Sequence, residues 1–296
     1  MNHYFPNLVC HRTSYCVLKA SGHDIRTYLQ SQITQDISLL TPEHPIYTAV
    51  LTPQGKMVAD MYLIDAGEEL FIITIADTAI ALVERLRQFS MGHAIRLGMV
   101  KSLSVLSMQG KACQTAQTVI QPFVQASMPM SEAAEQGCYL VIEKSFMEKA
   151  LTLLSEEKDI HVCSDLEMEQ ACIIHGTPRF GRDWDASIHP MNANLIEMQG
   201  VNFDKGCYIG QEVTSRMHWR GGVKKKLFHV QLSAMPQQLP CPIQTSVNIG
   251  TLTSAASDQQ GIVWGIAHLP IETVEQQVTL TLEHDITITV LEACHA

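Results

Sequence analysis

The sequence predicts an α+β protein that ends in a small antiparallel β-barrel. Three observations carry that reading. Strands and helices alternate over the first hundred or so residues, the alternation restarts near residue 138, and from about residue 224 short strands follow one another without helices. At 296 residues, with 46% hydrophobic and 17% charged residues, the chain can bury two or three cores and lacks the composition of a disordered segment.

Residues 21–40 read as a helix capped by Ser21 or Asp24, with Ile25, Leu29, Ile33 and Ile37 on one face. Strands are expected over 47–51, 57–64 and 70–75, the first two joined by the turn residues Pro53-Gln54-Gly55-Lys56. Asp77 is then placed to cap a helix carrying Ile80, Val83, Leu86 and Phe89, and 100–106 returns as a strand. The stretch 110–136 looks like loop. After it come a strand at 138–142, a helix at 146–154 and a short strand at 160–163. Ser164-Asp165-Leu166-Glu167 has the spacing of a capping box, and the helix it opens should stop near Gly176, ahead of Pro178.

Toward the end of the chain, 227–232, 247–252, 262–267, 278–282 and 286–290 are short strands parted by Gly, Pro, Asn and Asp, and the last two alternate at period two. Five or six such strands with no helix between them fit a small barrel. The predicted organisation is therefore 1–223 as two α+β units, about 1–110 and 111–223 with an interleaved arrangement left open, and 224–296 as the barrel. Gly221-Gly222 loosens the chain at the boundary.

Bulk chemistry narrows the function. Nine cysteines without a CxxC pair argue against a disulfide framework and a zinc ribbon, so most should be small buried residues. Thirteen histidines without HExxH, and no carboxylate-rich cluster, predict no metal held by the chain itself. No apolar run is long enough to cross a bilayer, and the first residues lack a secretory pattern, so a cytoplasmic location without membrane contact is expected. A net charge of −10 weighs against broad nucleic-acid binding. The stretch from Lys205 to Lys226 is a local exception: it also holds Arg216, Arg220, Lys224 and Lys225, and would suit a small anion or stand as a solvated basic face.

The segment richest in chemistry is Lys205-Gly206-Cys207-Tyr208-Ile209-Gly210-Gln211-Glu212. Its glycines permit positive φ or close approach of a ligand, and 211–219 is expected to be helical. Cys207 would then lie just ahead of a helix N-terminus and two residues from Lys205, both of which favour a thiolate if the thiol is exposed; a buried structural cysteine is the plain alternative.

This octapeptide resembles the signature K-G-C-Y-x-G-Q-E of the YgfZ family, matching it at every specified position. Other stretches agree: Gly22-His23-Asp24 with the run Tyr28 to Asp36, the Pro53-Gln54-Gly55-Lys56 turn, His175-Gly176-Thr177-Pro178, and Arg220-Gly221 with Lys224-Lys225. The resemblance spans about 15–226, and the barrel more loosely. It implies two ferredoxin-like α+β units in an arrangement like that of the glycine-cleavage T-protein, plus the C-terminal barrel, around a central opening. It also implies binding of tetrahydrofolate or a polyglutamylated derivative, and support of iron–sulfur enzymes such as a tRNA methylthiotransferase, with direct nucleic-acid binding not expected.

Folate offers a flat pterin and an anionic tail, so it calls for an apolar slot, directed polar groups and cations. The resemblance places Tyr15 where the family has a folate-contacting aromatic, and Glu169 near a helix glutamate that bonds pterin nitrogens in the T-protein; a core tyrosine and an exposed glutamate are the plain alternatives. Lys205, Arg216 and Arg220 are candidates for the tail, and Gly206, Tyr208, Gln211 and Glu212 complete the motif. Val58-Ala59-Asp60-Met61 retains one of two acids that T-proteins carry after this turn. Asp60 therefore keeps open a folate-dependent aminomethyl or one-carbon transferase, against an ordinary strand aspartate. Trp219, Met191, Met198 and Met217 are expected in core packing. The leading expectation is an accessory factor, not an aminomethyltransferase, with Cys207 at its functional centre. A ligand-free adaptor is a third reading, and the oligomeric state is left undetermined. A single cysteine cannot ligate a whole cluster, so cluster chemistry would need a partner or a second subunit.

Overall fold

Runs such as Leu70-Phe71-Ile72-Ile73 and Leu140-Val141-Ile142 are apolar at every position, which suits strands buried on both faces. The computed structural model, which describes residues 7–129, 137–244 and 248–294, shows how that burial is achieved. The chain forms two compact units. The first comprises residues up to Val50 and Val58–Met168, and the second Leu51–Met57 and Glu169–Ala296.

In chain order the first part holds β1 (Asn7–Arg12), β2 (Tyr15–Ser21), α1 (Ile25–Gln30), β3 (Ile46–Leu51), β4 (Met57–Asp65), β5 (Glu69–Ile75), α2 (Ala76–Gln88), β6 (Arg96–Met99) and β7 (Leu103–Gln109). It continues through α3 (Cys113–Ile120), β8 (Val124–Pro129), β9 (Gly137–Glu143), α4 (Lys144–Ser155), β10 (Ile160–Val162) and α5 (Asp165–Ile174). These strands make two five-stranded sheets, in the orders β3-β4-β5-β2-β6 and β10-β1-β7-β9-β8. The strands β1 and β7 thus share a sheet with β8, β9 and β10, while β2 to β6 form the other. All described pairings are antiparallel except β1 with β10.

Alternate residues divide the core. Leu70 and Ile72 pack with Ala79, Leu82 and Leu86 of α2, whereas Phe71 and Ile73 face Val105, Tyr139 and Val141 of the other sheet. Leu140 and Ile142 turn to Met147, Ala150 and Leu154 of α4. The first unit is therefore layered helix, sheet, sheet, helix. Each fully buried leucine or isoleucine contributes about 1.5–3 kcal/mol.

Several expectations need correction here. Only Ile25–Gln30 of 21–40 is α-helical, followed by a 3-10 turn at Ile37–Leu39. Ile33 instead bridges Val50, and Thr34 and Gln35 bond Thr48, so these residues lie alongside β3. Asp24 does not cap the helix by its side chain; its Oδ2 accepts from the Ala94 amide at 2.7 Å. Asp77 lies in the first turn of α2, not at its cap. The stretch 110–136 is not simply loop, since α3 and β8 occupy much of it; residues 130–136 lie outside the described residues. The capping box is present, with Glu167 accepting from Ser164 N (2.8 Å) and Ser164 Oγ accepting from Glu167 N (3.2 Å).

The second unit adds α6 (Gln211–Trp219), β11 (Lys225–Leu232), β12 (Cys241–Gln244), β13 (Asn248–Ser257), β14 (Val263–Pro270), α7 (Ile271–Glu275), β15 (Leu280–Thr281) and β16 (Thr287–Ala293). The six strands close an antiparallel barrel in the order β11-β14-β13-β12-β15-β16. Position 247, expected to start a strand, lies outside the described residues. A short helix, α7, interrupts the expected run of strands, and only Leu280–Thr281 of 278–282 is extended in the ladder. Two buried side chains tie the mostly irregular segment before α6 to the barrel. Asp183 accepts from Thr253 and Ser254, at 3.0 and 2.5 Å, and from Arg182 at 2.7 Å. Asn194 donates to the carbonyls of Leu227 and Cys294 and accepts from Leu227 N, each at 2.8 Å.

Candidate functional site

The helix α6 begins where the sequence placed it because Gly210 adopts φ +89°, a left-handed conformation that side chains resist. A Cβ at this position would sit 2.8 Å from both Leu51 Cβ and Thr52 O, so the glycine also permits close packing against the 51–57 turn. On that same turn, Lys56 Nζ donates to Ser187 O at 2.9 Å, and Gly55 lies against His189 and Val213. Glu212 in the first turn of α6, and Arg216 in the last, match the sign of its dipole.

The loop ahead of α6 has buried residues on both sides of Cys207. Lys205 is 7% exposed and sets its ammonium 5.1 Å from the centre of the Tyr208 ring, itself 7% exposed. Burial pushes the Tyr208 hydroxyl up to about 12, with Thr214 pulling the other way. Between them Gly206 and Cys207 are exposed, and a Cβ at Gly206 would meet nothing within 4 Å. Of the nine cysteines, six are buried, Cys16 and Cys241 are half-buried, and Cys207 alone is exposed. An accessible thiol on a loop held at both sides can attack an electrophile, enter thiol exchange or supply one ligand to a metal shared with a partner.

The remaining predicted residues of this unit divide by exposure. Arg216, Arg220 and Glu212 are exposed and Gln211 is half-buried. Lys205 is buried, so the alternative of a solvated surface lysine does not apply to it. Glu169 is not an exposed helix glutamate either. Its side chain is 14% exposed, and Oε2 accepts from Arg179 at 2.7 Å and Arg182 at 2.8 Å. A pterin contact would therefore compete with two guanidinium groups. Met191 and Met198 are core residues, but Trp219 is 71% exposed and meets the His218 ring edge-on at 4.6 Å, while Phe203 stacks on His218 at 3.8 Å.

Tyr15 and Asp60 belong to the first unit, where they join an aromatic cluster. Tyr15 lies 5.6 Å from Tyr139, Tyr139 5.2 Å from Tyr62, and Tyr62 5.1 Å from Tyr47, centre to centre. Tyr47 donates to Asp60 Oδ2 at 3.0 Å; burial first, and the Asp60 charge second, push its hydroxyl well above the ordinary range. Arg12 stands 4.7 Å over the Tyr15 ring and is paired with Asp165 at 2.6 Å. The cluster thus holds a carboxylate, hydroxyls and ring faces together.

No protein-family model matches the chain. It is 22% identical over 245 residues to tRNA-modifying protein YgfZ of Colwellia psychrerythraea, covering 79% of this chain and 72% of that protein. Further proteins of the same name align at up to 28% identity. These similarities support the resemblance to the YgfZ family that the motif carries. The chain is also 26% identical over 235 residues to a mitochondrial iron–sulfur cluster assembly factor IBA57 homolog of Neurospora crassa, covering 73% of this chain and 51% of that protein. Among solved structures, the glycine cleavage system aminomethyltransferase T of Bartonella henselae superposes with a TM-score of 0.78 at 13% identity, covering 98% of this chain and 85% of that one. The T-protein-like fold expected from the sequence is present, barrel included.

Sequence reasoning missed Tyr47, which donates to Asp60, the Tyr62 and Tyr139 rings of the same cluster, and Arg179 and Arg182 beside Glu169. Tyr47 and Tyr62 sit on the strands flanking the Pro53-Gln54-Gly55-Lys56 turn, so pairing across that hairpin was the available signal. Arg179 and Arg182 follow Glu169 too distantly for any helix-face rule. Among the described residues no group of three or more His, Cys, Asp or Glu could hold a metal ion, and no helix is long and apolar enough to cross a membrane.

Proposed function

We propose that this chain is a cytoplasmic, tetrahydrofolate-binding accessory factor that supports the assembly or maintenance of iron–sulfur enzymes, including one that methylthiolates tRNA, with Cys207 as its functional thiol. The observation that carries the proposal is the presentation of Cys207: exposed, in the family's motif, between buried Lys205 and Tyr208. Its similarity to a tRNA-modifying protein and to an iron–sulfur cluster assembly factor homolog supports the same role.

Each unit, taken by itself, holds groups of a kind that folate chemistry uses. The first has ring faces at Tyr15, Tyr47 and Tyr62 and a carboxylate at Asp60, which suit a pterin. In the second, Arg216 and Arg220 are exposed cations of the kind that pair with carboxylates, and Gly206, Gln211 and Glu212 accompany them in the motif. When bound, tetrahydrofolate would supply one-carbon chemistry.

The test is complementation. Cells lacking the native protein and expressing Cys207→Ser should fail to recover tRNA methylthiolation, while wild type restores it; full recovery by the variant would remove Cys207 from the account. A second reading, aminomethyl transfer, rests on Asp60 and its bond from Tyr47. Robust turnover with a lipoyl carrier protein in a glycine-cleavage assay would favour it.

A further inference from the structure

We propose that the first unit carries a second ligand site, for a small oxyanion, in the cavity where the chain crosses between its two sheets. The cavity, about 210 Å³, lies where β1 passes to β2 and β6 passes to β7, beside the start of α4. That size suits a small ligand such as phosphate or a short-chain carboxylate.

Its walls are complementary to such an anion. Val17, Met99 and Leu103 provide an apolar side. Two ammonium-bearing side chains, Lys101 and Lys144, line it as well, and both residues are exposed, which suits flexible stems at a rim. Inside, His11 Nε2 and Ser104 Oγ are 2.7 Å apart. Burial first, and the charge of Lys144 second, lower the His11 pKa, with Asp165 opposing them; the ring is neutral at neutral pH. When Nε2 carries the ring proton it donates to Ser104, leaving the Ser104 hydroxyl proton for an anion. Asp165 itself is paired with Arg12 at 2.6 Å and accepts from Ser14 N at 2.8 Å, so its charge is offset. An oxyanion head against the lysines and Ser104, with a short apolar body on the opposite wall, satisfies both kinds of surface.

The site overlaps the folate reading at Tyr15, which also lines the cavity, and its other lining residues are not among those of that reading. Cys16 also lines the cavity and is half-buried, with burial raising its thiol to about 11, so it is a built-in reporter. The experiment is slow alkylation of the full chain by iodoacetamide, mapped by mass spectrometry, with inorganic phosphate, propionate or uncharged propionamide present. Phosphate, propionate or both should cause a saturable loss of Cys16 labelling that propionamide does not, while labelling of half-buried Cys241 is unchanged. Which anion protects identifies the head group. The protection should vanish in Lys101→Ala/Lys144→Ala; should that variant misfold, Lys144→Gln reads the same effect. No protection by either anion, equal protection by propionamide, or protection that survives loss of both lysines overturns the proposal.

Discussion

The Lys205 ammonium lies 5.1 Å from the centre of the Tyr208 ring, so the two buried neighbours of Cys207 hold each other. The contact uses the ring and not the hydroxyl. Tyr208→Phe should therefore change stability by less than about 1 kcal/mol, whereas Tyr208→Ala, which empties a buried aromatic site, should cost about 3–5 kcal/mol. Urea unfolding of the two variants checks this, and equal losses would mean the hydroxyl, not the ring, anchors the loop.

The two glycines of the motif should behave oppositely. Gly206 has open space where a Cβ would go, while Gly210 has φ +89° and backbone and side-chain atoms at 2.8 Å. Gly206→Ala is expected to shift stability by no more than about 0.5 kcal/mol, and Gly210→Ala to destabilise by roughly 1–3 kcal/mol. Thermal unfolding of both variants decides the point; a tolerated Gly210→Ala would show that α6 can start another way.

Acid should weaken the second unit before its carboxylates titrate. Burial and Lys56 lower His189 to about 4, and burial and Lys225 lower His268 to about 4, against an ordinary value of 6.5. Below 6.5 the unfolded chain takes up protons that the folded chain refuses, so stability is complete above that pH and falls as pH drops toward 4. Urea midpoints measured from pH 7 to pH 4 should decline, and His268→Gln should flatten the decline. A flat wild-type profile would show that neither ring is held neutral.

Tyr47→Phe removes the donor to Asp60 without changing the packing of the ring. The expected loss is about 1–3 kcal/mol, typical of a bond to a charged acceptor. Chemical denaturation measures it, and unchanged stability would show that Asp60 does not depend on Tyr47.

The local features of this molecule were the legible ones. The helix α6 was read to its last residue because its start and finish are written in Gly210 and Gly221-Gly222, and the Ser164–Glu167 box is a four-residue signal. The helix expected over 21–40 failed for a non-local reason: Ile33, at helical spacing from Leu29, is buried by bridging Val50 instead. The short helix α3 was invisible because it lacks a side-chain cap and is rich in Gln and Thr. The exposure of Cys207 and the burial of Lys205 beside it are likewise properties of packing, since the motif carries both residues without saying which faces water. The tyrosine cluster draws on β2, β3, β4 and β9, and no spacing rule joins positions 15, 47, 62 and 139.

The measurement that tests the functional account most directly is calorimetric titration of the purified chain with tetrahydrofolate and its polyglutamate form, beside Arg216→Ala. The account predicts saturable binding that weakens about tenfold in the variant, ~1.4 kcal/mol, with the larger effect on the polyglutamate. A folded wild-type protein that gives no saturable heat with either ligand would contradict it.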